Sequence, residues 1–91
     1  MLEKVKLALR YSTQRFDNEL NALIDACRAD LQRVGVDGGR LYSDSPALTN
    51  VVICFCKWQL NYQNRGLEWG KLYRELRQDI ALDGDYRCHQ R

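Results

Sequence analysis

The residues with the most chemical potential in this chain are four cysteines, Cys27, Cys54, Cys56 and Cys88, and a single histidine, His89. Thiolates and imidazoles at suitable spacing hold zinc or serve as nucleophile and base. Cys54 and Cys56 lie in a stretch of helical periodicity, where two residues of separation turn their side chains about 200° apart around the axis. They cannot converge on one ion. Cys88 and His89 are adjacent in a polar tail with no second pair to complete a tetrahedral set. The expectation is therefore reduced, partly buried thiols and no metal. Gly38-Gly39 lacks the Lys-Ser that follows a phosphate-cradling loop and the strand that precedes one. The carboxylates are spread over solvated helix faces, so no acid, base and nucleophile converge, and neither catalysis nor a cofactor is expected.

Charge narrows the choice of partners. Residues 1–45 balance seven Lys and Arg against seven Asp and Glu, and residues 46–91 balance seven against five, so neither half carries the basic stripe of a duplex-binding surface. A hydrophobic share of 45% with one proline describes a folded domain and not a disordered chain. Ninety-one residues supply one core, hence a single domain over 1–91. No cationic stretch precedes an apolar run of leader length and no window reaches the length of a membrane span, so the expected setting is the cytosol, with no membrane partner.

The elements that would carry these residues are helices. Leu2, Val5 and Leu9 share one side of a short helix over 2–10, too short to stand alone. A second helix, 17–34, repeats Phe16, Leu20, Leu23, Ile24, Cys27, Leu31 and Val34 at three- and four-residue steps. Asp17 is the expected cap of its first turn and Gly35 the left-handed residue after its end. On its other side Ala22, Ala26 and Ala29 form a row of small residues, explained either by helix propensity or by close approach of another helix. The glycine-bearing segment 35–45 reads as a loop, after which Ser45 caps and Pro46 opens a third helix.

That third helix, 46–64, is apolar on most of its circumference. Leu48, Val51, Val52, Phe55, Trp58 and Tyr62 form one face, while Ile53, Cys56 and Leu60 fall on a second arc. Such a helix needs cover on more than one side, which either its own bundle or a neighbouring copy could supply. Ile53, Cys56 and Leu60, with Ala22, Ala26 and Ala29, are accordingly the candidate contacts between copies. A fourth helix, 67–82, places Trp69, Leu72, Tyr73, Leu76 and Ile80 on one face, and 83–91 reads as a mobile polar tail. The expected fold is all-α, a small four-helix bundle of one short and three longer helices. A helix-turn-helix DNA reader would need a basic recognition helix, but the third helix has Lys57 as its only charge and the fourth interleaves its bases with acids. A small partner-binding regulator remains a further alternative.

The run Leu2-Glu3-Lys4-Val5-Lys6-Leu7-Ala8-Leu9-Arg10, then Phe16-Asp17-Asn18-Glu19-Leu20 leading into Leu23 to Leu31 and Val34-Gly35-Val36, resembles the phage head-tail connector family typified by the adaptor of phage HK97. Ser45-Pro46-Ala47-Leu48 and the ending Tyr73-Arg74-Glu75-Leu76-Arg77 through Ala81 to Arg87 continue the likeness over nearly the whole chain. Cys54 and Cys56 depart from it, standing where the family more often has aliphatics or alanine. The resemblance implies a structural virion protein at the head-tail junction, present in the host cytoplasm during assembly. It implies a ring of copies, a dodecamer when portal-bound, that docks beneath the portal protein after packaging. The ring would extend the DNA channel without reading sequence and offer a platform to the next connector or tail protein. It also makes Tyr86 and Arg87 candidates for portal docking, against the plainer reading of an inert end.

Overall fold

The computed structural model describes residues 1–87. Four helices follow one another: α1 (Leu2–Leu9), α2 (Asp17–Arg33), α3 (Pro46–Gln59) and α4 (Gly66–Leu82). Short 3-10 turns at Gly38–Arg40 and Tyr62–Asn64 lie in the connections before and after α3. The organising element is α3. It packs most extensively on α4, then on α2, and also on α1. Leu48, Val51, Val52 and Cys56 are at most 1% exposed, and Cys54 and Phe55 are buried as well. At about 1.5–3 kcal/mol for each large aliphatic side chain taken fully out of water, this one helix anchors much of the apolar gain of folding.

The helix ends follow local chemistry. Ser45 Oγ accepts the Leu48 amide at 3.3 Å and Pro46 follows as the first helical residue, as the sequence suggests. After α2 the Gly35 amide bonds to the Gln32 carbonyl and the Val36 amide to that of Leu31, with Gly35 at φ 109°. This double closure needs a left-handed residue, which glycine supplies without a Cβ clash. At the end of α1 the same closure occurs with Arg10 at φ 61°, its amide reaching Leu7 and the next amide Lys6. Asp17 does not cap α2. Phe16 holds that position with no side-chain bond, and the Asp17 carboxylate instead faces Lys6 Nζ at 2.9 Å, tying α1 to α2.

Two boundaries differ from the sequence reading by more than one residue. The third helix ends at Gln59 and not at 64, because Asn61, Gln63 and Asn64 all take positive φ. Asparagine tolerates that region, and the Asn61 side chain adds a local reward: its Oδ1 accepts the Gly66 amide at 2.8 Å and so satisfies the start of α4. Residues 83–87, expected as part of a mobile tail, are instead bonded into the fold. The Tyr86 carbonyl accepts the Asp37 amide at 2.7 Å, Val36 and Arg87 form an antiparallel bridge, and the Tyr86 hydroxyl donates to Ser45 Oγ at 2.6 Å. Residues 83–87 are thus fastened over the loop between α2 and α3, and only 88–91 of the expected tail lie outside the described residues.

Close contact between α3 and α4 rests on Gly70, a residue with no obvious role in the sequence. Trp58 stacks on Tyr73 at a centroid distance of 5.7 Å, with Phe55 edge-on to both rings. A Cβ at position 70 would stand 2.8 Å from the Trp58 indole nitrogen and no farther than 3.0 Å from two of its ring carbons. Alanine ordinarily favours a helix interior over glycine by about 1 kcal/mol. Here that gain opposes an overpacking cost of roughly 1–3 kcal/mol, since the rigid indole is held by two other rings. Gly70→Ala is therefore expected to lower the urea midpoint; a raised midpoint would show that Trp58 yields freely.

Candidate interaction surfaces

The polar junction that holds α2 and α4 in register is centred on Asp30. Tyr73 of α4 donates its hydroxyl to Asp30 Oδ2 at 2.6 Å, Arg77 donates to the same oxygen at 2.8 Å, and Arg33 reaches Oδ1 at 2.6 Å. Burial would raise the Asp30 carboxyl, but the bonds from Tyr73, Arg33 and Arg77 outweigh it and bring it down to about 2 from an ordinary 3.8. The Tyr73 hydroxyl is pushed upward by burial and by Asp30, so it remains a donor. Nothing in the sequence marks Asp30 among twelve acidic residues, because Tyr73 and Arg77, the partners that tie it to α4, lie more than forty positions away.

Of the cysteines, Cys27 touches this junction, its thiol donating weakly to the Tyr73 hydroxyl at 4.0 Å. Cys27 and Cys56 are fully buried, and burial pushes both thiols up to about 12. Cys54 is raised in the same direction by burial. All three are free and protonated at neutral pH, which leaves them poor nucleophiles. Cys88 and His89 lie outside the described residues. Among the described residues no group of three His, Cys, Asp or Glu side chains could hold a metal ion.

The six residues read as contacts between copies separate into two sets. Ala22, Ala26 and Ala29 are exposed along the outer side of α2, opposite buried Leu20, Ile24, Cys27 and Leu31. Cys56 is completely enclosed by its own subunit, while Ile53 and Leu60 are half-buried and pack against the core. The second apolar arc of α3 is thus largely covered from within. The sequence reading underweighted α1, whose Val5 and Leu9 are buried in the same core as the residues of α3. Tyr86 is half-buried with its hydroxyl and carbonyl both bonded inside the subunit, whereas Arg87 is exposed and has no ion pair among the described residues.

Large apolar side chains that remain in solvent are dispersed. Leu7 on α1, Tyr42 in the loop, and Leu67 and Leu82 at opposite ends of α4 are each more than half exposed. Single exposed residues of this kind are ordinary, and one face of the Tyr42 ring carries the Arg28 guanidinium at 4.3 Å. No helix among the described residues is long and apolar enough to cross a membrane.

The family model described as phage connector protein matches residues 1–87, all four helices and the fastened segment after them. The chain belongs to the phage connector protein family. No curated protein and no solved structure matches it. This connector is a structural component of the phage head-tail junction and associates with other phage structural proteins. The match runs through the Asp30 junction and through Tyr86, so the segment fastened over the loop is part of the family domain and not an appendage.

The Asp30 junction gives a pH-dependent test. Its folded carboxyl is depressed, so its stabilisation is present in full above the ordinary carboxylate range and is lost as pH falls from about 4 towards about 2. Asp30→Asn should cost on the order of 2 kcal/mol in urea unfolding at pH 7. The difference from wild type should shrink almost to nothing near pH 2. A cost independent of pH would assign the effect to packing alone.

Proposed function

We propose that this connector assembles as a ring beneath the portal vertex once the genome is packaged, lengthens the DNA channel, and presents a platform to the next connector or tail protein. The observation that carries this reading is the family match over residues 1–87, because the subunit's closed core does not itself demand a partner. Supporting it are the exposed row Ala22, Ala26 and Ala29, which admits close approach of a neighbour, and a near-neutral net charge of +2, which suits a channel through which DNA slides without being held. Ile53 and Leu60 can contribute to such a contact only through the parts their own subunit leaves open. Of the two portal-docking candidates, Tyr86 is fastened inside the subunit and Arg87 beside it is the exposed one.

The DNA-reading alternative loses ground on α3, most of whose circumference is covered by α1, α2 and α4, leaving only a narrow strip through Ala47, Asn50 and Lys57 with a single charge to offer a major groove. The exposed side of α4 alternates Glu68, Lys71, Arg74, Glu75 and Asp79, which gives little net gain from phosphates.

Sedimentation velocity on the purified protein, alone at high concentration and mixed with the portal protein of the same phage, tests the ring. A ring-sized species in at least one condition is expected. A strict monomer in both would overturn it. In gel shifts at low salt, duplex DNA is expected to remain unbound; salt-sensitive sub-micromolar binding would favour the regulator.

A further inference from the structure

A ring closes only if each copy offers two different surfaces that fit one another, one for the neighbour on either side. Helix α4 carries two such surfaces. On the flank that meets α2 a shallow groove is lined by Val34, Arg74, Arg77, Gln78 and Ala81. On the flank that meets α3 a second groove includes Ala47, Asn50, Leu76, Asp79 and Asp83. At 100° per residue, Arg74, Arg77, Gln78 and Ala81 centre on one flank of α4 and Leu76, Asp79 and Ile80 on the other, roughly 160° apart across the buried face. One groove is rimmed by arginine and the other by aspartate, and both have small or apolar floors.

Each rim keeps an exposed charge, Arg74 on one and Asp79 on the other, without an ion-pair partner among the described residues. Arg74 is steadied by lying over the Trp58 ring at 5.7 Å, while Arg77 is already committed to Asp30 and fixes the groove's inner wall. Asp83 Oδ1 accepts the Asp85 amide, which holds its carboxylate at the end of α4. A face-to-face dimer through either groove would set like charges against each other, whereas a head-to-tail contact pairs opposite ones.

We propose that neighbouring copies join head to tail across α4, the arginine-rimmed groove of one seated against the aspartate-rimmed groove of the next, with Arg74 and Asp79 the pair that sets the register. This rests on the ring reading above and names the contact that makes it. Rim charges of this kind act mainly on specificity and on encounter, so reversal should be more disruptive than neutralisation.

The test is a charge swap followed by sedimentation under the condition in which the wild type forms its ring. Arg74→Glu alone and Asp79→Arg alone should each raise the concentration needed for assembly at least tenfold, with thermal melts close to wild type because both residues are exposed. Mixing the two single variants should restore a ring, since each supplies the flank the other lacks, and so should the double variant. Should either reversal depress the melt, Arg74→Gln and Asp79→Asn provide milder versions, expected to weaken assembly less. Wild-type rings with single variants that assemble unchanged, or a mixture that fails to recover, would overturn this contact and leave the ring standing. A wild type that stays monomeric even with the portal would remove the ring itself.

Discussion

The constraint on which this molecule depends is the enclosure of α3. A helix bearing Leu48, Val51, Val52, Phe55, Cys56 and Trp58 can be stable in water only if most of its circumference is covered, and in a domain of this size every other helix is recruited to cover it. Short α1 closes one side with Val5 and Leu9, α2 another with Leu20, Ile24, Cys27 and Leu31, and α4 the broadest side with Tyr73 and Ile80. The polar features are consequences. Lys6 and Asp17 fix α1 to α2, and Asp30 ties α2 to α4 through Tyr73 and Arg77, each spanning a seam between helices that have come together around α3.

What the sequence made legible was what local rules determine. The apolar stripe of α2, the Ser45-Pro46 start of α3 and the Gly35 stop are short-range patterns, and all three are realised. The early end of α3 was not legible, because Leu60 and Tyr62 continue its apolar rhythm. Only the left-handed turn at Asn61, stabilised by a bond to Gly66, breaks it. Long-range features were hidden for a different reason. Asp30 resembles any solvated acid until Tyr73 and Arg77 arrive from α4, and Gly70 resembles a weak point in a helix until Trp58 is seen lying against it. The second arc of α3 was visible in the sequence, but its cover was not: eight residues of α1 give a faint signal alone and a decisive one once packed.

This closure bears on how a connector can work. A subunit that conceals its core needs no partner to remain folded, so it can accumulate before its docking site exists. In the ring proposed above, contacts between neighbours would draw on exposed alanines and charged rims and not on a continuous apolar patch. Such surfaces associate weakly in isolation and gain when a template gathers many copies at once. In that proposal the portal would supply the local concentration that completes the ring.

The most direct measurement is an electron cryomicroscopy comparison of the portal vertex in DNA-filled heads purified from phage with the gene for this chain intact and from phage in which it is deleted. The expected result is a closed ring of density below the portal in the first, each unit accommodating one four-helix subunit with α3 inside it, and its loss together with tail attachment in the second. Identical vertices with tails attached in both would contradict the assignment.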